Sequence, residues 1–226
     1  MKKHWCIGVI NGEYLARMEE LLDLYELPYD EKRPLVCFDE RPCQLLGDMM
    51  APIPMKPASV KKLDEHYKRN GTCSVLLACE PLKGFRYLEV RETRTRRDYG
   101  LFMKELAEKQ YPHAEKIILV QDNLNTHGAG SFYETFDAET ARQLRKRFEF
   151  HYTPKKASWL NMAEIEFSAL SKQCLDRRIA DMHTLAKEAE AWAAERNANA
   201  VKIQWRFTTD KARTKLKRHY AGAIKN

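Results

Sequence analysis

The sequence lacks the features that mark several large classes of protein. Its longest apolar runs, IILV at 117–120 and VLLAC at 75–79, are far too short to cross a bilayer. The glycine patterns GxGxxG and GxxxxGKS/T of nucleotide-binding loops are missing, and so is the nucleophile elbow of serine hydrolases. We therefore expect no membrane span, no nucleotide cofactor and no serine-hydrolase chemistry.

The cysteines show no metal-binding or redox pattern. The six cysteines include no CxxC pair, and none lies beside a histidine at zinc-ligand spacing. Cys73 and Cys79 alternate with apolar residues, as buried thiols in a strand do. The N-terminal stretch has no continuous apolar segment of the kind found in signal peptides. We therefore expect reduced thiols and a cytoplasmic, nucleoid-associated location.

Positive charge is in mild excess and is concentrated in clusters. The 226 residues carry a net charge of +7, and the pI is about 9.0, which favours a polyanionic partner such as nucleic acid. Three basic clusters occur along the chain: Arg91, Arg94, Arg96 and Arg97; Arg142, Arg145, Lys146 and Arg147; and Lys211, Arg213, Lys215, Lys217 and Arg218.

Hydrophobic periodicity predicts an alternation of helices and strands. Helices are predicted at 12–25, 98–109, 131–147 with a break near Phe136, 160–176, 183–197 and 208–219; strands are predicted at 34–39, 72–79, 85–91, 116–121 and 148–152, with a proline-rich loop around Pro52, Pro54 and Pro57. An early hairpin followed by βα units predicts an α/β fold, a ribonuclease-H-like mixed sheet flanked by helices. We expect an N-terminal helical segment and linker at 1–33 and a catalytic domain with C-terminal helices at 34–226.

Two predicted strands end on a carboxylate, and a third carboxylate opens a helix. Asp39 ends VCFD, Asp122 ends IILVQD, and Glu164 follows SWLNM. Ligands of open α/β sheets gather beyond the carboxyl ends of the strands. Hard Mg²⁺ ions prefer oxygen ligands, and paired metal ions catalyse phosphoryl transfer. Each aspartate taken alone is a turn residue or helix cap, whereas the set predicts a metal site.

Glu166 competes with Glu164 for the third position. The two side chains differ by about 200° around a helix, so they do not both face one site. Each flanks the apolar stripe of Leu160, Ala163, Phe167, Leu170 and Cys174 at a similar angle. Helical geometry therefore leaves the choice open, and the other glutamate is expected to be a solvated helix residue.

Three segments resemble the carboxylate motifs of DDE transposases. LVCFDERP, ILVQDNLNTH and HYTPKKASWLNMAEIEFS are similar to those of the bacterial insertion-sequence branch of the mariner-like superfamily. The resemblance extends from Trp5 to the WRFTTDKARTKLKR tail, and its third motif selects Glu164 over Glu166. It implies that Asp39, Asp122 and Glu164 bind Mg²⁺, for which Mn²⁺ substitutes.

The resemblance also implies an activity and its partners. The implied reaction is metal-dependent cleavage of DNA at transposon ends, followed by attack of the freed 3′-hydroxyl on target DNA. Double-stranded DNA is the implied partner, and a homodimer is implied, formed in solution or only on DNA. DDE transposases usually begin with a helix-turn-helix region, for which no room exists ahead of Trp5. We therefore expect a catalytic domain without its DNA-reading region.

Several other residues are candidates for supporting roles, each with a structural alternative. Asn123 and His127 follow Asp122 and suit either a second shell around the metal or local loop bonds. Trp159 suits either stacking on an unpaired base or anchoring of a helix. Arg94, Arg96 and Arg97 suit phosphate contacts or a solvated loop, and Lys215 and Arg218 suit a DNA-facing helix or one that is simply docked by Leu216.

Three hypotheses remain for the activity. The first is a transposase catalytic domain that acts as a two-metal polynucleotidyl transferase. The second is a non-catalytic DNA-binding remnant of a transposase, and the third is a generic metal-dependent nuclease of the same fold. The complete set of three carboxylates argues against the second hypothesis.

Overall fold

The computed structural model describes residues 10–50 and 65–223, and its centre is a five-stranded mixed sheet with the order β3-β2-β1-β4-β5. The strands are β1 (Leu35–Asp48), β2 (Tyr67–Glu80), β3 (Phe85–Arg91), β4 (Ile117–Gln121) and β5 (Phe148–Tyr152). The first three form an antiparallel meander, whereas β4 and β5 continue the sheet in parallel from the other side of β1. The predicted mixed sheet is confirmed.

Helices cover both faces of this sheet. They are α1 (Gly12–Tyr25), α2 (Arg96–Glu105) with a π-helical turn at Leu106–Gln110, α3 (Gly130–Thr135), α4 (Ala138–Arg147), α5 (Ala163–Gln173) after a 3-10 turn at Ser158–Leu160, α6 (Met182–Ala198), α7 (Thr209–Lys215) and α8 (Lys217–Ala223). No helix within the described ranges is long and apolar enough to span a membrane.

Strand alternation divides the core into two layers. Val36 and Phe38 of β1 pack with α2, α3 and α4 on one face. Cys37 packs on the opposite face with α1, α5, α6 and α7. Because successive strand residues point to opposite faces, Asp39 shares the face of Cys37 and lies on the side of α5. The alternation therefore fixes which helices supply the remaining residues of the candidate site.

The prediction that β1 ends at Asp39 is wrong. The strand continues to Asp48 because its antiparallel pairing with β2 persists, with one irregularity at Leu45/Leu46, after the parallel pairing with β4 has stopped at Cys37. Beyond this point the strand no longer has β4 as a neighbour and is less buried, and its sequence is accordingly polar. A strand end has the same polar sequence, so the pattern does not distinguish the two cases. The predicted strand at 72–79 likewise extends to Tyr67–Glu80.

The remaining element predictions are close to the structure. The break near Phe136 separates α3 from α4, whereas the predicted helix at 208–219 is interrupted at Leu216. The five cysteines within the described ranges are free thiols, as expected. The proline-rich loop and Cys6 lie outside the described residues.

Candidate active site

The register of the parallel pair β1–β4 places Asp39 and Asp122 at one level of the sheet. Cys37 lies opposite Val120. Asp39 follows Cys37 by two residues, and Asp122 follows Val120 by two residues. Both Cys37 and Val120 belong to the core layer beneath α5. Alternation therefore directs the Asp39 side chain to that face, whereas Asp122 lies beyond the end of β4, and its charge acts on Asp39.

The Glu164 side chain is exposed in the first turn of α5, and its charge acts on Asp39. Burial and the charges of Glu40, Asp122 and Glu164 together raise the pKa of Asp39 to about 7, against a backbone hydrogen bond from Glu40 that lowers it. Within residues 10–50 and 65–223, no ion pair involves Asp39 or Glu164. In this cluster of carboxylates, Glu40 and Asp122 therefore have cationic partners, whereas Asp39 and Glu164 have none among the described residues.

Asn161 connects β1 to the start of α5. Its side chain is fully buried, and its amide nitrogen donates to the backbone oxygen of Phe38 at 2.8 Å and lies 3.4 Å from Asp39 Oδ2. Its side-chain oxygen accepts from the backbone nitrogen of Ala163 at 3.1 Å. One amide therefore fixes the helix that carries Glu164 relative to the strand that carries Asp39.

His127 lies buried between two carboxylates and two aromatic rings. Its Nδ1 is 2.6 Å from Asp122 Oδ1, and its Nε2 is 2.7 Å from Glu40 Oε2. The rings of Phe38 and Tyr99 pack against the imidazole. Burial acts to lower the pKa of His127, but the two carboxylates outweigh it and raise the pKa to about 9. The imidazole is therefore cationic at neutral pH and holds Asp122 in place.

The same contact sets the protonation of Asp122. Burial acts to raise its pKa, but the contacts with His127 and with the backbone nitrogen of Leu124, together with the charge of Arg94, bring the net pKa below the usual value. Asp122 is therefore anionic at neutral pH, whereas Asp39 gains a proton more readily.

Asn123 bonds away from the carboxylates. Its side-chain oxygen accepts from Arg17 Nη1 at 3.0 Å, and its amide nitrogen donates to the backbone oxygen of Thr153. These contacts join α1, the end of β4 and the loop after β5. No described hydrogen bond links Asn123 to Asp39, Asp122 or Glu164, and its expected role around a metal stays a prediction.

Glu166 is not the solvated residue that the helical pattern predicts. Its side chain is 0% exposed, and it accepts two hydrogen bonds of 2.7 Å from Arg86 Nε and Nη2. Arg196 of α6 adds two contacts of 3.2 Å. The sequence pattern missed this arrangement because the partners lie 80 and 30 residues away along the chain. Glu166 therefore ties α5 to β3 and α6.

The residues predicted to contact DNA lie at several places. Arg94 is 3.6 Å from Glu40, and Arg96 is paired with Glu134. Arg97 and Arg218 are exposed at the starts of α2 and α8. Trp159 is 46% exposed with its edge towards Phe207, over whose ring the Lys215 ammonium lies at 5.5 Å. These contacts do not test DNA binding, so the roles stay predictions.

Sequence reasoning did not identify Glu40, Asn161 or Arg86 as parts of this region. Asn161 stands inside the SWLN motif, and its position just before a helix is a usable signal. Arg86 occupies a buried position in an otherwise alternating strand, which is a signal for a buried acidic partner. Glu40 gave no signal, because its contact with His127 depends on how β1 and the loop after β4 pack.

The donor atoms suit a hard divalent cation. All three candidate ligands are carboxylates, and Mg²⁺ is usually held by one or two carboxylates while waters and substrate oxygens complete its shell. In the described part of the chain, no three His, Cys, Asp or Glu side chains converge into a ready-made cage for a single ion. The three carboxylates therefore do not form a ready-made site for one ion in the described residues, and their role as metal ligands stays a prediction.

The comparisons with known proteins identify the family. Residues 34–186 match the model of the DDE superfamily endonucleases, and because this match covers more than half of the sequence, the chain belongs to that family. A search of curated proteins finds no match.

Solved structures of Mos1 transposase are similar in fold. They include a paired-end complex with the left transposon end (TM-score 0.60, 14% identity) and the strand transfer complex (TM-score 0.60, 14% identity), each covering 99% of this chain and 66% of the Mos1 chain. The Mos1 paired-end complex with Mn has a TM-score of 0.58 at 16% identity, with the same coverage. The likeness confirms the ribonuclease-H-like fold, and the chain spans about two thirds of the Mos1 chains.

Proposed function

We propose that this DDE superfamily endonuclease is a transposase catalytic domain that cleaves DNA at transposon ends and joins the freed 3′-hydroxyl to target DNA. The carrying observation is that the β1–β4 register places Asp39 and Asp122 at one level, while the charge of Glu164 acts on Asp39 from α5. Polynucleotidyl transfer needs such a cluster because no side chain becomes covalent and hard metal ions activate the reacting oxygens. Family membership supports the proposal.

Asp39, Asp122 and Glu164 would hold the metal, which is Mg²⁺ with Mn²⁺ as a substitute. Mos1 has been solved in paired-end complexes with Mg and with Mn. When bound, the metal supplies Lewis-acid stabilisation of the attacking and leaving oxygens. His127 orients Asp122 through its short contact, and Asn161 holds the β1 backbone beside Asp39. Glu40 fixes the other edge of the imidazole.

The finer identity belongs to the same proposal. We place the chain in the bacterial insertion-sequence branch of the mariner-like superfamily, with an N-terminal segment at 1–33 and the catalytic domain at 34–226. Its partners are transposon-end and target DNA and a second copy of the chain, and its location is cytoplasmic, at the nucleoid. Arg94, Arg96, Arg97, Trp159, Lys215 and Arg218 are proposed DNA contacts. The excess of positive charge and the three DDE-like motifs support these assignments.

A cleavage and strand-transfer assay on labelled oligonucleotides tests the proposal. We expect Asp122→Asn to lower the metal-dependent rate by about a thousandfold, because loss of several kcal/mol of transition-state stabilisation corresponds to three powers of ten. Asp176→Asn, which removes one exposed carboxylate from the turn after α5, is the matched control and should cleave like the wild type.

Each other outcome identifies a competing function. Equal rates for wild type and Asp122→Asn would refute the assignment of the carboxylates. DNA binding without any metal-dependent cleavage would identify a non-catalytic remnant of a transposase. Cleavage without joining of the 3′-hydroxyl would identify a metal-dependent nuclease of the same fold.

A further inference from the structure

A groove with a volume of about 510 Å³ opens beside the end of β4, next to the candidate active site. One wall is the first part of α1, from Asn11 to Arg17, and the other is the loop Pro154–Lys156 that follows β5. Asn123, the residue after Asp122, forms part of its lining. The groove therefore leads to the chain segment that carries one of the catalytic carboxylates.

Hydrogen bonds fasten both walls of this groove to the end of β4. The backbone nitrogen of Thr153 donates to the backbone oxygen of Gln121 at 2.9 Å, and the Asn123 amide donates to the backbone oxygen of Thr153. Arg17 Nη1 donates to Asn123 Oδ1 at 3.0 Å. The two residues that flank Asp122 thus hold the groove in a fixed position relative to its carboxylate.

The groove carries an excess of positive charge. Its lining includes Arg17, Lys155 and Lys156 and one carboxylate, Glu13, which pairs with Arg17 at 2.6 Å. Lys155 and Lys156 are exposed, and neither takes part in an ion pair within the described ranges. The cluster at Arg94 and Arg96, in contrast, is paired with Glu40 and Glu134.

The backbone of Lys156 adds a second observation. Its φ is +64°, in the left-handed region that residues other than glycine adopt at a cost of about 1–3 kcal/mol. Such conformations persist where the surrounding structure holds them, and they cluster at ligand-binding sites. Here the loop is fixed at Thr153, and the next residue after Lys156, Ala157, is buried in the core.

We propose that this groove binds the phosphodiester backbone of the DNA strand that enters the carboxylate cluster, with Lys155 and Lys156 neutralising phosphates and Arg17 closing the α1 side. The proposal rests on the proposed function and names how that site engages its substrate. Phosphate contacts fix the position of a strand without reading its sequence. The groove therefore places the scissile phosphate and leaves sequence recognition to other residues.

The test measures how salt affects the binding of a labelled DNA duplex by the full chain in the presence of a metal chelator. Each lysine that neutralises a phosphate contributes about one unit to the slope of log K against log salt concentration. We expect the slope for Lys155→Gln/Lys156→Gln to be shallower than that of the wild type by about two units. Adding Arg17→Gln to this double variant should weaken DNA binding further.

A matched double variant controls for the loss of two positive charges. Lys32 and Lys116 precede β1 and β4 at the amino ends of these parallel strands, on the sheet edge away from Asp122. Lys32→Gln/Lys116→Gln should keep the wild-type slope. Equal slopes in all three proteins, an equal loss in both double variants, or no DNA binding by the wild type would each overturn the proposal.

The outcome separates the groove from the catalytic assignment. Asp122→Asn should bind DNA in chelator with the wild-type slope, because the groove does not need the metal. If Asp122→Asn also keeps metal-dependent cleavage, the proposed function fails while the groove stands. If Lys155→Gln/Lys156→Gln binds with the wild-type slope while Asp122→Asn loses cleavage, the groove fails while the proposed function stands.

Discussion

Two carboxylate regions on different sides of helix α5 differ in whether arginine side chains pair with them. Glu166 is fully buried between the guanidinium groups of Arg86 and Arg196, which satisfy both of its oxygens. Glu164, two residues earlier, is exposed and lies in electrostatic reach of Asp39, and no described ion pair involves either side chain. A buried charge is costly unless it is paired, so we interpret the ion pairs of Glu166 as structural contacts that hold α5 on β3 and α6.

The second region consists of Asp39 and Glu164, whose side chains take part in no described ion pair. Grouped like charges raise the pKa of one member and destabilise the folded state, and such arrangements concentrate at functional sites. Burial, together with the charges of Glu40, Asp122 and Glu164, raises the pKa of Asp39, and no described ion pair offsets this effect. The difference between the regions therefore separates a paired carboxylate that holds α5 in place from carboxylates without a cationic partner among the described residues, which we propose bind the metal.

Replacing each glutamate in turn with glutamine is the most direct test of the different roles of Glu166 and Glu164. Glu166→Gln leaves the buried Arg86 without its counter-charge, and we expect the free energy of unfolding to fall by about 3–5 kcal/mol. Glu164→Gln should change it by less than about 0.5 kcal/mol, because the side chain is exposed. Denaturant unfolding measures both values.

DNA cleavage should show the reverse order of sensitivity, with Glu164→Gln more damaging than Glu166→Gln, when both variants are assayed under conditions where they are folded. Glu164→Gln should lose metal-dependent DNA cleavage, and folded Glu166→Gln should retain it. If Glu166→Gln lost cleavage while remaining folded and Glu164→Gln kept it, the assignment of the third ligand would be reversed.

Asn161 lies between the two regions, because its side chain donates to β1 beside Asp39 and accepts from the backbone nitrogen of Ala163, the first residue of the helix that carries both glutamates. Asn161→Ala leaves the backbone oxygen of Phe38 without its 2.8 Å partner, and we expect a loss of about 1–3 kcal/mol of unfolding free energy. DNA cleavage should fall as well, since Asp39 and α5 are no longer held together. Asn125→Ala, at an exposed loop position, is the control, and equal stability of the two variants would contradict the role of Asn161.

A further prediction is a gain in stability when the charge of Asp39 is removed. Because the folded-state pKa of Asp39 is raised to about 7, its ionisation disfavours folding, and the stability present at acidic pH is lost as pH rises from the unfolded-state pKa to about 7. In metal-free buffer above that pH, Asp39→Asn should raise the free energy of unfolding by about 1–2 kcal/mol, after discounting for partial exposure.

At acidic pH, where Asp39 is protonated in both states, the same substitution should have no effect. Urea unfolding of wild type and Asp39→Asn at the two pH values provides the measurement. A loss of stability above pH 7 would show that Asp39 makes stabilising contacts that outweigh its repulsion by Glu40, Asp122 and Glu164.

Much of the fold followed from periodicity, and the reasons for the misses are specific. Helix α1 and strands β3 and β5 match their predicted ranges, because each has a regular apolar pattern bounded by turn residues or a change of period. The end of β1 did not, because pairing with β2 continues where burial stops. A backbone ladder between distant segments leaves little trace in local sequence.

The candidate site shows the same division. Local pattern singled out Asp39, Asp122 and two glutamates, and a family resemblance chose between the glutamates. The contacts of Glu166 with Arg86, of His127 with Glu40 and of Arg17 with Asn123 join segments far apart in the chain. No spacing rule predicts such contacts, because they depend on how helices pack on the sheet.

The sequence by itself determined the elements, the carboxylates and the positive charge, because strand alternation, helical periodicity and residue chemistry are local properties. Only the tertiary structure decided which charges are neutralised. It buried Glu166 between two arginines, left Glu164 exposed near Asp39, and placed Lys155 and Lys156 on a groove beside Asp122. The physical reason is that neutralisation requires a partner within a few ångströms, and folding brings that partner from elsewhere in the chain.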